Sequence, residues 1–271
     1  MDRYVVIGNP VSHSLSPEIH ARFAASLGER IAYGKLLAPL DRFAAFAEHF
    51  FEEGGHGANV TLPFKVEAFR FAPSSSARAR AAGAANFLQR RGDAVHADNT
   101  DGAGLVADLT RNLDLELRGR RIVVLGAGGA ARGVIGPLLA LEPVALQIAN
   151  RTAARARELA LAFSAFGPVS ALDWGELDQA SPTLVINATS TSTRGEPLEI
   201  PPRILGPGVF AYDMAYGPAA GAFLERARLG GARASDGLGM LVEQAAESFF
   251  LWRGRRPETP AILAELRARA T

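Results

Sequence analysis

The stretch ANVTLPFK, residues 58–65, carries an amide, a hydroxyl and an ammonium at Asn59, Thr61 and Lys65, with the apolar Val60 and Leu62 between them. Side chains alternate faces along an extended chain, so such a segment shows one polar face and one apolar face. Of 29 Lys and Arg residues only Lys35 and Lys65 are lysines. A coding preference for arginine accounts for most of that imbalance, yet it makes the exceptions informative. Arginine cannot give up its proton and cannot replace a compact ammonium. Pro63 is predicted to open a helix, which places Lys65 in the first turn, where a cation is electrostatically least favoured. A carboxylate nearby would offset this, and Asp101 in HADNTDGAG, at the predicted start of another helix, is the best candidate. An ammonium at hydrogen-bond distance from an alcohol can exchange or steer its proton. Taken singly, Asp101 and Ser16, which precedes Pro17, also suit helix N-caps.

A second group of residues points to a cofactor. In VVLGAGGAARG, Gly126, Gly128 and Ala131 fit G-x-G-x-x-G/A directly after a strand-like run and into a helix. The first glycine permits a tight turn, the second lets a pyrophosphate approach the backbone, and the helix N-terminus supplies N–H groups and positive dipole. The next strand, VALQIANR, ends in Asn150-Arg151-Thr152, with Arg155 one turn later. An acid at this place would bond the ribose hydroxyls of NAD, whereas two guanidiniums suit the 2′-phosphate of NADP. Arginine in a first helical turn opposes the macrodipole, which favours anion binding over a solvated helix start. Arg151 is expected to supply roughly 1.5–3 kcal/mol of charge-assisted bonding.

These residues need a scaffold, and the pattern of the chain supplies one. YVVIGNP reads as a strand and SLSPEIHARFAASLG as the helix after it. GANVTL and PFKVEAFRFA repeat that step, and AANFLQ with AVHAD form a pair of short strands around Gly92. DGAGLVADLTRNL leads away as a helix. The glycine turn then opens a second strand–helix series, with further strands at TLVINA, GVFAYDM and a segment ending at Asp236. Alternating strands and helices imply an α/β protein with a parallel sheet covered on both faces. After Asp236 two helices follow with no strand between them, which suggests a return to the first region. The expected divisions are 1–101, 102–236 and 237–271. At 271 residues, 48% hydrophobic and 21% charged, with a net charge of +1, the chain reads as a globular protein without a nucleic-acid or membrane surface. The lack of cysteine excludes disulfides and thiolate chemistry and fits a reducing, cytoplasmic setting. The five histidines show no metal-ligand spacing, so no metal is expected.

SHSLSP, GANVTLPFK, AAN, DNTDG, GAGGAAR, NRT, NATS, YDMAY and DGLGMLVEQA, in this order and spacing, closely resemble the shikimate dehydrogenase family over residues 7–244. The resemblance implies a substrate domain made of the N-terminal segment plus the C-terminal helices, and a Rossmann-type NADP domain between them. It implies reversible reduction of 3-dehydroshikimate to shikimate with NADPH, in aromatic amino-acid biosynthesis, by a monomer or homodimer. Carried over by motif, Lys65 and Asp101 are the catalytic pair, with Lys65 either transferring the alcohol proton or stabilising the alkoxide. Ser14, Ser16, Thr61 and Tyr216 would hold the substrate carboxylate. Asn59, Asn86 and Gln244, together with the catalytic pair, would hold the ring hydroxyls. Gly126, Ala127, Gly128, Gly129, Ala130, Asn150, Arg151, Thr152, Arg155, Asn187, Thr189, Ser190, Gly237 and Met240 would contact the cofactor, and Met240 serves equally well as core.

The chain departs from the family pattern at Phe87, where threonine is common, at Gly221-Ala222, where Thr-Pro is usual, and at Thr191-Ser192-Thr193, in a loop that often carries glycine. Two alternatives stand beside the main reading. One is a quinate/shikimate dehydrogenase using NAD, disfavoured by Arg151. The other is a catalytically weak dinucleotide-binding regulatory protein, disfavoured because a sensor needs no proton-handling pair.

Overall fold

The computed structural model describes residues 1–196 and 198–270. The chain forms two compact units, one of Met1–Gly104 with Leu241–Arg269 and one of Leu105–Met240. Both are α/β, but their sheets are built differently.

The first unit runs β1 (Asp2–Gly8), α1 (Ser16–Leu27), β2 (Ile31–Leu37), α2 (Phe43–Glu52), β3 (Gly55–Val60), α3 (Lys65–Phe71), β4 (Ser74–Ser75), α4 (Ala77–Ala82), β5 (Phe87–Arg91) and β6 (Ala94–Asp98), and takes in the start of α5 (Asp101–Ala107). Its sheet has the order β2-β1-β3-β5-β6-β4 and is mixed. The first three strands are parallel, while β5 runs antiparallel to β3 and forms a hairpin with β6. The two short strands expected around Gly92 are that hairpin. A purely parallel sheet does not extend through this unit, because a two-residue turn can join only antiparallel neighbours. β2 and α2 stand where the sequence reading placed no element. β2 is an edge strand, half exposed and interrupted by Gly34 and Lys35, so its pattern is weak.

The second unit runs β7 (Arg121–Leu125), α6 (Gly129–Leu139), β8 (Ala145–Ala149), α7 (Ala153–Phe163), β9 (Val169–Leu172), β10 (Leu184–Asn187), α8 (Thr191–Arg194), β11 (Phe210–Asp213), α9 (Gly221–Leu229) and β12 (Arg233–Ser235). Its six strands are all parallel in the order β12-β11-β10-β7-β8-β9, the doubly wound arrangement that reverses direction beside its first strand. Val123, Leu125, Val185 and Ala211 are fully buried on this sheet, as strands covered on both faces must be.

After β12 the chain forms α10 (Leu238–Arg253) and α11 (Pro260–Ala270). From Leu241 onward these helices belong to the first unit. Two observations explain why α10 packs there. Gly57 on β3 leaves room for Trp252, since a Cβ at Gly57 would lie 2.3 Å from the indole Nε1. Polar ties fix the ends: Arg78 joins Asp98 at 2.7 Å and Glu247 at 3.0 Å, and Arg253 joins Glu29 and Asp2. Among the described residues no helix is long and apolar enough to cross a membrane.

Candidate active site

Lys65 opens α3, and its ammonium lies 2.5 Å from Asp101 Oδ2. Both side chains are almost wholly buried, at 11% and 5% exposure, so each charge depends on the other for solvation. Pro63 is not the first helical residue. It sits in the preceding turn after a cis peptide bond, and Phe64 takes the N-cap position. Lys65 nevertheless falls in the first turn, the place that favours an acidic partner.

Asp101 is not an N-cap either. Its carboxylate accepts from Lys65 and, at 2.9 Å on Oδ1, from Asn86 Nδ2, while its own N–H donates to the Asn99 side chain. The cap reading of Ser16 fails in a similar way. Leu15 occupies the N-cap of α1, and Ser16 is the first helical residue, donating its N–H to Ser14 Oγ. The two serine hydroxyls lie 3.2 Å apart, a pair suited to an anion's oxygens. Thr61 follows β3 directly and is half-buried.

Asn59, Asn86 and Gln244 are buried at 5%, 2% and 8% exposure. Asn86 Nδ2 lies 3.2 Å from Gln244 Oε1, which brings α10 beside the Lys65–Asp101 pair. Asn59 accepts from the Tyr33 phenol at 2.8 Å and donates to Ser248 Oγ and to the Asn86 carbonyl. Residues 14, 16, 59, 61, 65, 86, 101 and 244 thus all belong to the first unit, while Tyr216 belongs to the second.

Three residues of this network escaped the sequence reading: Tyr33, Thr100 and Ser248. Thr100 stands in the DNTDG motif, and Ser248 lies one helical turn after Gln244, so both had a positional signal. Tyr33 lies on the unread edge strand and had none. Behind the polar groups stands an aromatic wall. His20 stacks on Tyr33 with centroids 4.3 Å apart and also touches Phe23, Phe249 and Trp252. Among the described residues neither ring nitrogen of His20 has a hydrogen-bond partner, and burial pushes its pKa down to about 3, with the neighbouring Asn59 acting in the opposite direction. Phe87 is fully buried and stacks on Trp252 at 5.0 Å, so this departure from the family pattern joins the same wall.

In the second unit the glycine turn joins β7 to α6. Gly126 has φ +106°, and a Cβ there would lie 3.0 Å from the Ala188 carbonyl oxygen. Gly128 is exposed, and a Cβ on it would project into open space, the volume a pyrophosphate needs. Ala127 precedes it, Gly129 and Ala130 form the first turn of α6, and Ala131 is fully buried against the sheet. At the end of β8, Asn150 is held by the Thr152 carbonyl, while Arg151 and Arg155 are exposed and form no ion pair among the described residues. This turn, with two solvated guanidiniums and no acid between residues 150 and 155, fits a dinucleotide carrying a 2′-phosphate.

At the end of β10, Asn187 Oδ1 accepts from the N–H and hydroxyl of Thr189 while its Nδ2 donates to Asp213 and Ser192; Ser190 follows as the cap of α8. Asp213, in the YDMAY motif, also escaped the sequence reading, although an acid ending a parallel strand is a positional signal. Burial raises its carboxyl pKa to about 6. Ser192 donates to it at 2.7 Å, so the serine found where glycine is common has a structural partner. Gly237 approaches the Met214 carbonyl too closely for any Cβ, and Met240 is 5% exposed in this unit.

A buried lysine–aspartate pair among amides and hydroxyls, on a chain whose other unit carries a dinucleotide turn, defines an α/β oxidoreductase. Family models described as the shikimate dehydrogenase substrate binding domain, the shikimate/quinate 5-dehydrogenase and the shikimate 5′-dehydrogenase C-terminal domain match residues 6–88, 108–195 and 237–267. The chain is 54% identical to the NADP(+) shikimate dehydrogenase of Dechloromonas aromatica, over 99% of this chain and 98% of the other. Among solved structures, it is similar to an Ael1 enzyme from Pseudomonas putida, with TM-score 0.90, 43% identity and 98% of each chain covered. It is also similar to shikimate 5-dehydrogenase from Thermus thermophilus in complex with NADP(H) and shikimate, with TM-score 0.86, 31% identity and 100% of each chain covered. The chain belongs to the shikimate dehydrogenase family.

Proposed function

We propose that this chain reduces 3-dehydroshikimate to shikimate reversibly with NADPH, with Lys65 and Asp101 as the catalytic pair. The observation that carries this reading is the contact between Lys65 Nζ and Asp101 Oδ2, buried among the amides of Asn86 and Gln244. In the forward direction a hydride adds to the C3 carbonyl carbon, the carbonyl electron pair moves to oxygen, and that oxygen takes up a proton. NADPH, when bound, supplies the hydride chemistry. Lys65 meets the charge developing on the C3 oxygen, donating a hydrogen bond or the proton itself. Asp101 fixes the ammonium in place through the buried 2.5 Å contact.

Ser14 and Ser16, with Thr61 and Tyr216, hold the substrate carboxylate, and Asn59, Asn86 and Gln244 support the ring-hydroxyl end. A site that pairs each ring oxygen rejects analogues lacking one. Gly126 to Ala130 receive the pyrophosphate, and Arg151 with Arg155 receives the 2′-phosphate, Asn150 and Thr152 framing the same turn. Asn187, Thr189, Ser190, Gly237 and Met240 line the ribose and nicotinamide end. Residues 1–101 and 237–271 form the substrate domain and 102–236 the NADP domain, in a cytoplasmic monomer or homodimer.

The test is to mix purified protein with shikimate or quinate and with NADP or NAD, and follow reduced nicotinamide in all four combinations. Shikimate with NADP is expected to be the fastest pair. Turnover confined to quinate or to NAD, or none at all, refutes the proposal.

A further inference from the structure

The Asn86 amide can face only one way. The backbone N–H of Thr100 lies 2.7 Å from Asn86 Oδ1, and an N–H can only donate, so that atom is the oxygen. Three acceptors then surround Nδ2: Asp101 Oδ1 at 2.9 Å, Thr100 Oγ1 at 2.9 Å and Gln244 Oε1 at 3.2 Å. An amide nitrogen carries two protons, so one of the three goes without.

The choice is made one residue further along. Ser248 donates its hydroxyl proton to the Gln244 carbonyl at 2.9 Å, one turn back on α10. Its oxygen accepts from Asn59 Nδ2 at 2.9 Å and lies 3.1 Å from Thr100 Oγ1. With its own proton spent, Ser248 can only accept from Thr100. The other acceptors for the Thr100 proton, Asn86 Oδ1 at 3.2 Å and Gln244 Oε1 at 3.4 Å, are longer. Thr100 therefore turns a lone pair toward Asn86 and takes one of its amide protons. Asp101 takes the other, and Gln244 Oε1 is left over.

That leftover atom matters because the surrounding groups have little accepting capacity to spare. Lys65 is all donor, and each oxygen of Asp101 already accepts, from Lys65 or from Asn86. Gln244 itself is fixed, since its Nε2 donates to the Leu241 carbonyl at 2.9 Å. We propose that Thr100, which is fully buried, is a positioning residue: by holding one Asn86 proton it keeps Gln244 Oε1 free to accept a hydroxyl proton from the substrate. This rests on the shikimate dehydrogenase reading above.

Thr100→Val removes the hydroxyl while keeping the shape and the backbone N–H. The freed Asn86 proton then passes to Gln244 Oε1. The KM for shikimate is expected to rise about tenfold, with a smaller fall in kcat and no change in the KM for NADP. Thr100→Ser is expected to restore the KM to within about threefold of the original. In a Gln244→Ala background Thr100→Val should add less than about twofold, because the atom through which it acts is gone. Equal multiplicative effects in both backgrounds, an unchanged KM in Thr100→Val, or a Ser variant as impaired as the Val variant overturns the proposal. If Thr100→Val fails to fold, Ser248→Ala replaces it. Freed from Ser248, the Thr100 proton is shared between Asn86 Oδ1 and Gln244 Oε1, and a rise of about threefold that vanishes in Gln244→Ala is expected. A Ser248→Ala effect independent of Gln244 overturns it equally. Wild-type turnover is measured first: no reaction there refutes the proposed function, whereas an active wild type with an indifferent Thr100 refutes this inference alone.

Discussion

The Lys65 cluster and the Gly126 turn solve opposite problems. The cluster is made of side chains from α3, α5, α10 and the ends of strands, buried and already bonded to one another except at Gln244 Oε1. The turn is made of backbone contributed by neighbouring residues, with open space over Gly128 and two exposed arginines beyond it. A ring carrying several oxygens in fixed directions demands donors and acceptors set in advance, and only mutual bonding inside the protein fixes them. A phosphate asks only for N–H groups, dipole and charge, which a helix start and flexible guanidiniums supply without burial.

The contrast breaks most visibly at its centre. Lys65→Ala is expected to lower kcat by about 10²- to 10⁴-fold with a smaller effect on KM, read from initial rates with shikimate and NADP. A large rise in KM with kcat preserved would make Lys65 a binding residue and the cluster a mere socket. The turn is tested by Gly128→Ala, whose methyl points into open space. It should weaken NADP binding by about tenfold or more while leaving the melting temperature within about 2 °C, since nothing in the protein is touched. Titration calorimetry and a thermal melt on the same sample separate the two effects.

The two arginines sharpen the comparison further. Arg151→Ala is expected to reduce the NADP/NAD preference by about 10- to 100-fold, equivalent to roughly 1.5–3 kcal/mol of charge-assisted bonding. Unchanged preference would move the 2′-phosphate elsewhere. No effect on turnover or cofactor choice, only one on acid stability, is expected in the aromatic wall behind the cluster. His20 is neutral in the folded protein, with a pKa of about 3 against 6.5 when unfolded. Its contribution is fully present above pH 6.5 and is lost as pH falls toward 3, because the unfolded chain takes up the proton first. By pH 5 about 2 kcal/mol of it has been lost. His20→Phe should flatten the acid limb of stability between those values, measured by urea unfolding at several pH values, and a limb of unchanged slope would assign the titration to other groups.

The same contrast explains what could be read from the chain. The glycine turn, its strand and its helix occupy adjacent residues, so their pattern and their structure coincide. The β5–β6 hairpin was legible for the same reason. By contrast β2 and α2 were not, because an edge strand half open to solvent carries little periodicity. Local propensity alone would make Ser16 and Asp101 helix caps, whereas Ser14, Lys65 and Asn86 supply the bonds that the structure uses.

By itself the sequence determined the alternation that gives a doubly wound sheet, the dinucleotide turn, the arginines after β8 and the scarcity of lysine that singled out Lys65. It also named Asp101 as the acid of suitable type. Tertiary structure alone decided which groups bond which: that Tyr33, Thr100 and Ser248 support Asn59 and Asn86, and that His20 stays uncharged. Periodicity and helix ends are local interactions, written in neighbouring residues. The direction of a buried hydrogen bond depends on every donor and acceptor within reach, and here those come from residues as far apart as 59 and 248.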